Sequence, residues 1–226
     1  MKRSLIVVQL VMGCLFSNGQ MKVDVGAQMK LAQQQYERLL AAHRDTTRTP
    51  QSYANGEYVD MPVDWWCSGF FGGNLWLLYQ YTHAAKWKDA ANLWTLAVES
   101  RQYDTSTHDL GFMLYCSYGN GYRLTGDAGY RKVLLRGAQS LATRYHPGTG
   151  VIKSWDSFQQ YDYPVIIDNM MNLEFLFWAA RASGDRHYYD ICVSHANATM
   201  KNHYRPDHSS FHVVCYDSVG NVLAKK

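Results

Sequence analysis

The feature that most constrains this chain is a repeat of 59 residues. His108-Asp109-Leu110-Gly111-Phe112-Met113 and Ile166-Ile167-Asp168-Asn169-Met170-Met171 each place a carboxylate before a long apolar stretch, and the two aspartates are 59 residues apart. The apolar stretches stop alike, at Thr125-Gly126-Asp127 and Ser183-Gly184-Asp185, and the segments after them end at Pro147 and Pro206, again 59 apart. Such a period signals a repeated helical hairpin. It places both acids at the same end of successive helices, where paired carboxylates can do acid and base chemistry.

Three hairpins fit the pattern. The first runs over 66–81 and 84–100, the second over 109–124 and 128–145, the third over 168–182 and 186–204, with an amphipathic helix at 25–44 and a loop around Pro50, Asn55-Gly56 and Pro62 before them. In each hairpin the first helix is apolar nearly all round, as helices buried on every side are, and the second carries charges such as Arg131, Lys132 and Arg136 on one face. An inner and an outer ring follow, giving an all-α toroid, an (α/α)6 barrel of which about the first half is present. The segments 150–155 and 211–216 are rich in β-formers and predict short hairpin loops at the rim, bringing Trp155 and His212 over the end that carries the aspartates. The chain closes on Val222-Leu223-Ala224-Lys225-Lys226, where a fourth inner helix is expected to begin.

Met1 to Gly19 has a basic start, an apolar stretch from Leu5 to Phe16 and small residues before Gln20, the pattern of a secretory signal peptide. Residues 20–226 then form the N-terminal part of one catalytic domain, exported to the periplasm; a lipoprotein attached through Cys14 is the alternative. No later window is apolar enough to span a bilayer. The net charge of +3 falls to +1 without Lys2 and Arg3, and no Lys/Arg cluster remains to track a phosphate backbone, which argues against nucleic acid. Cys67, Cys116, Cys192 and Cys215 are too scattered for a zinc site or a disulfide scaffold and read as buried free thiols. His208 and His212 lack a third ligand at a familiar spacing, so neither a metal nor another cofactor is expected.

Asp109 and Asp168 admit two readings, helix N-caps or catalytic acids. An acid that also serves as a base needs a pKa lifted toward neutrality, and Asp168, beside Asp109 and among Ile166, Ile167 and Met170, has the neighbours to lift it. Trp66 and Trp155, at helix or loop entrances, suit the apolar faces of sugar rings.

Four boxes together, Trp66-Cys67-Ser68-Gly69-Phe70-Phe71-Gly72-Gly73, His108-Asp109-Leu110-Gly111-Phe112, Lys153-Ser154-Trp155 and Ile167-Asp168-Asn169-Met170-Met171-Asn172, resemble the unsaturated glucuronyl hydrolases, glycoside hydrolase family 88. The resemblance covers about residues 29–226. It implies an (α/α)6 barrel that removes the 4,5-unsaturated uronic acid left on glycosaminoglycan fragments by lyases. Asp168 matches the family residue that protonates C4 and activates the water adding at C5, and Asp109 the second essential carboxylate. Trp66, His108, Trp155 and His212 match substrate-binding residues. The family's Arg-Gly-Gln-Ala-Trp-like box, with an arginine, a tryptophan and serines that bind sugar, does not occur. A related hydrolase of unsaturated rhamnogalacturonan fragments and a non-catalytic carbohydrate-binding remnant are the rival readings.

Overall fold

The computed structural model describes residues 23–226; the leader and Cys14 lie outside them. Helix α1 (Val25–Ala42) is capped by Asp24, whose carboxylate accepts the Ala27 N–H. A β-hairpin of β1 (Arg48–Ala54) and β2 (Glu57–Pro62) follows. Three helical hairpins come next: α2 (Ser68–Thr82) with α3 (Ala85–Leu96), α4 with α5 (Ala128–Ala142), and α6 (Asn169–Ser183) with α7 (Arg186–Asn202). Helix α4 is continuous but mixed, a π-helix over Gly111–Gly119 that tightens to an α-helix over Asn120–Thr125. Strands β3 (Tyr145–His146) and β4 (Val151–Ile152) pair, and β5 (Pro164–Ile166), β6 (Val213–Tyr216) and β7 (Val222–Lys225) form an antiparallel sheet in the order β5-β6-β7.

Helices α2, α4 and α6 form the inner row and α3, α5 and α7 the outer, an arc of an α/α toroid. The repeat boundaries arise from local chemistry. Gly126 and Gly184 adopt left-handed φ angles of 70° and 77° that stop the inner helices. Asp127 and Asp185 then cap the outer helices through the N–H groups of Gly129, Tyr130 and His187. One core runs through all three hairpins, with Trp76, Trp87, Trp94, Leu114, Leu134, Phe175 and Ile191 almost fully buried. Each such side chain contributes about 1.5–3 kcal/mol of transfer free energy.

The inner helices touch at backbone distance. A Cβ on Gly69 would lie 2.0 Å from the Met113 carbonyl oxygen, and one on Gly111 would lie 2.5 Å from Asn172 Oδ1. Only glycine fits at either contact. The Phe112 N–H donates to the same Asn172 Oδ1 (3.2 Å), fastening the start of α4 to α6.

Four expectations are corrected. The loop before the first hairpin is the β1–β2 hairpin, turned at Asn55 and Gly56 with φ 52° and 86°, the left-handed pair of a two-residue turn. Residues 222–225 pair with β6 as strand β7 and do not open a helix, because their β-formers meet an available sheet edge. The inner helices are not covered all round: Leu77, Met171 and Phe177 are exposed. Of the apolar positions that the sequence offers along α1, Ala27, Leu31, Leu39 and Ala42, only Leu39 packs against the core, together with Met29, Ala32, Tyr36 and Leu40. Cys67, Cys116, Cys192 and Cys215 are all free thiols, the last two buried and the first two half-buried. Among the described residues no helix is long and apolar enough to cross a membrane.

Candidate active site

The two aspartates that open inner helices do not cap them. Asp168 stands at the N-cap position of α6 with helical backbone angles, and its side chain accepts no N–H from the helix. The Asp109 carboxylate instead accepts the Thr107 hydroxyl at Oδ2 (2.7 Å). The acids that open the outer helices are spent on capping, whereas those on the inner helices face each other across His108.

His108 joins the pair. Its Nε2 lies 3.3 Å from Asp109 Oδ1 and 3.3 Å from Asp168 Oδ1. Its Nδ1 lies 3.1 Å from the Ser154 carbonyl oxygen. A carbonyl oxygen only accepts, so Nδ1 carries a proton and the ring is locked in orientation. Nε2 therefore needs either its own proton, making an imidazolium shared by two carboxylates, or a proton held on one carboxylate. Without one of these, three lone pairs converge.

Burial divides the acids. Asp109 is 7% exposed, and desolvation pushes its carboxyl above the usual carboxylate range. His108 and Thr107 pull it back, and the Asp168 charge adds to the rise. The Asp168 side chain is 36% exposed. The apolar walls expected around Asp168 therefore enclose it only in part. Ile166 is committed to a small cluster with Val213 and Cys215 under the sheet, leaving Asp168 at the lip of the site.

The other expected residues surround this centre unequally. Trp66 is 41% exposed and meets Phe70 and Phe112 edge-on at 5.7 Å each, an aromatic corner beside the start of α4. It also lines a cavity of about 440 Å³ with Tyr36, Tyr53, Tyr58, Phe70 and Asn74, and no charged side chain lines it. His212 is exposed, and its carbonyl accepts the Ile167 N–H (2.9 Å), which sets it next to Asp168 across the β5–β6 pair. Trp155 is half-buried on Phe158, beside the cluster of Ile166, Val213 and Cys215.

Several supports had no evident sequence signal. Arg144, 8% exposed, donates to the carbonyls of Lys153 (2.7 Å) and Thr105 (2.6 Å), tying the loop that bears His108 to the loop that bears Ser154. The Ser154 hydroxyl accepts the Ile166 N–H, and Asn169 Nδ2 donates to the Ile152 carbonyl, which fixes the start of α6. Thr107, two residues before Asp109, was readable as a local side-chain partner. His208 and His212 join no group of three metal-type ligands among the described residues, but His108, Asp109 and Asp168 do, with donor atoms within 4.8 Å of one another.

An arc of paired helices that brings a buried and an accessible carboxylate together at one end, bridged by His108, defines a protein of the α/α-toroid class. No family model matches the chain. An unsaturated glucuronyl hydrolase of Formosa agariphila is 38% identical over 238 aligned residues, covering 99% of this chain and 60% of that protein. An unsaturated chondroitin disaccharide hydrolase of Streptococcus pneumoniae is 34% identical over 200 residues, 87% of this chain and 50% of that one. A solved unsaturated glucuronyl hydrolase specific for heparin superposes with a TM-score of 0.83 at 43% identity, covering 88% of this chain and 53% of its own. The chain belongs to the unsaturated glucuronyl hydrolases. It spans about half to three-fifths of the length of these relatives.

Proposed function

We propose that the protein removes 4,5-unsaturated glucuronic acid from lyase-generated glycosaminoglycan oligosaccharides by hydrating the C4=C5 vinyl ether. The observation that carries this reading is the His108-bridged acid pair with one member buried and the other at the lip of the site. Asp168 is placed to reach a sugar ring. It donates a proton to C4, and its carboxylate then takes a proton from the water whose oxygen bonds to C5. The resulting C5 hemiketal opens to a ketone, and C1, left holding both a hydroxyl and the aglycone oxygen, collapses to an aldehyde as the aglycone leaves with a proton. Asp109, kept high by burial, stabilises the protonated state of the cluster.

Trp66 supplies an aromatic face for the uronate ring, and His108 and His212 supply polar contacts beside it. The cavity that shares Trp66 offers stacking faces to the sugar that follows. The names of the relatives support the glucuronyl over the rhamnogalacturonyl reading. The leader at Met1 to Gly19 supports export, and we place the protein in the periplasm.

The test follows the ultraviolet band of the conjugated unsaturated uronate during incubation with chondroitin, hyaluronan and heparin disaccharides. Decay abolished by Asp168→Asn is expected. A folded chain that leaves the band unchanged with every disaccharide overturns the proposal for this chain.

A further inference from the structure

We propose that His108, Asp109 and Asp168 also form a binding site for a divalent transition-metal ion of the Zn²⁺ type, which occupies the acid pair in place of sugar. The argument rests on the geometry of the three side chains and not on the substrate assignment.

Two of the three donor separations match a metal polyhedron. Around a tetrahedral ion with bonds of about 2.0–2.2 Å, neighbouring donor atoms stand about 3.3–3.5 Å apart. His108 Nε2 lies 3.3 Å from Asp109 Oδ1 and 3.3 Å from Asp168 Oδ1, and all three donors lie within 4.8 Å. Two edges are already at tetrahedral length, and the third closes by rotation of the accessible Asp168 side chain.

The donors are also oriented as metal ligands are. His108, 1% exposed, gives its Nδ1–H to the Ser154 carbonyl, so the neutral ring presents the Nε2 lone pair to the two carboxylates. Thr107 holds Asp109 Oδ2, leaving Oδ1 for an ion. This lone pair is buried, aimed into the site, and met only by acceptors unless a proton or a cation stands there. One imidazole and two carboxylates suit zinc and its neighbours better than magnesium or calcium, which prefer all-oxygen shells. An ion entering here displaces the proton that the three groups otherwise share, and the exposed edge of Asp168 is the way in. A fourth position stays open to water.

Isothermal titration of the purified chain with Zn²⁺ in a weakly coordinating buffer tests the site. Wild type is expected to take up one equivalent that millimolar Mg²⁺ does not displace. Asp168→Asn, at an accessible position and expected to fold, is expected to weaken this binding by at least about tenfold. His208→Gln, in an exposed turn, is expected to leave it unchanged. Co²⁺ in place of Zn²⁺ gives the strong visible bands of a four-coordinate ion in the wild type and loses them in Asp168→Asn. Equal affinity in wild type and Asp168→Asn, or no saturable binding by the wild type, overturns the proposal. Because the readout is metal uptake, it stands or falls apart from the hydration assay.

Discussion

Replacing Gly69 by alanine probes the contact that sets the whole inner row. The new Cβ would stand 2.0 Å from the Met113 oxygen and 2.3 Å from the Phe112 oxygen, both backbone atoms of α4. A carbon needs about 3.4 Å from such an oxygen, so the two helices must part by more than about 1 Å. Overpacking of this kind costs about 1–3 kcal/mol, and the upper end applies because the obstruction is backbone and not a flexible side chain. Alanine returns about 0.5–1 kcal/mol of helix propensity. The net loss is about 2 kcal/mol, or a Tm lower by roughly 4–8 °C for a chain of this size. Gly126→Ala is the comparison: its φ is +70° and nothing lies within 4 Å, so it carries only the left-handed penalty of about 1–2 kcal/mol. Urea and thermal denaturation of both variants measure the difference. Trp66, two residues before α2, and Phe112 sit on either side of the same contact, so Gly69→Ala also shifts tryptophan emission, whereas Gly126→Ala does not. A Gly69→Ala protein as stable as wild type, with unchanged emission, refutes the close helix contact.

Four more outcomes follow from the site and its supports. Arg144→Met strands the Lys153 and Thr105 carbonyls and costs about 3 kcal/mol in urea denaturation. Asp156→Asn, whose side chain is 77% exposed, costs under about 1 kcal/mol. His195 is fully buried, accepts the Ile152 N–H at Nδ1, and burial pushes its pKa down to about 3. Its folded pKa lies below the unfolded value, so the unfolded chain binds the proton first. Stability is whole above about pH 6.5 and falls by about 1.4 kcal/mol per pH unit below it. His195→Asn, keeping the acceptor, flattens that slope when denaturation midpoints are compared at pH 7 and pH 5. Asp109 runs the other way: its folded pKa is raised, so the fold's stability is fully present below the unfolded value and is eroded as pH rises through the folded one. Asp109→Asn is expected to melt higher than wild type at neutral pH while losing activity, and a lower melting temperature contradicts the burial argument.

The helical hairpins were legible because their punctuation is local. Gly126 and Gly184 must sit at left-handed angles, and Asp127 and Asp185 must cap, whatever surrounds them. The β1–β2 hairpin was missed although Asn55-Gly56 is its turn, since residues 48–54 lack alternation and the exposed strands need none. Residues 222–225 form a strand because β6 offers an edge, a fact of tertiary structure. The π-helical start of α4 has no signature in composition. Among the site residues, the meeting of Asp109 and Asp168 followed from the repeat. Which of them is buried did not, because that depends on Thr107, on the Ser154 carbonyl and on the loops Arg144 ties together. Trp155 stands at a loop entrance, and its packing on Phe158 depends on a tertiary contact that its position alone does not specify.

The central claim is that the acid pair protonates a carbon of the substrate and leaves the glycosidic bond to break by itself. Running the reaction in heavy water and examining the released uronate by mass spectrometry and proton magnetic resonance tests it most directly. One deuterium at C4, on a single face, together with loss of the conjugated band, is the predicted result. An intact unsaturated uronate released without deuterium at C4 would mean direct attack on the glycosidic bond and would contradict the account.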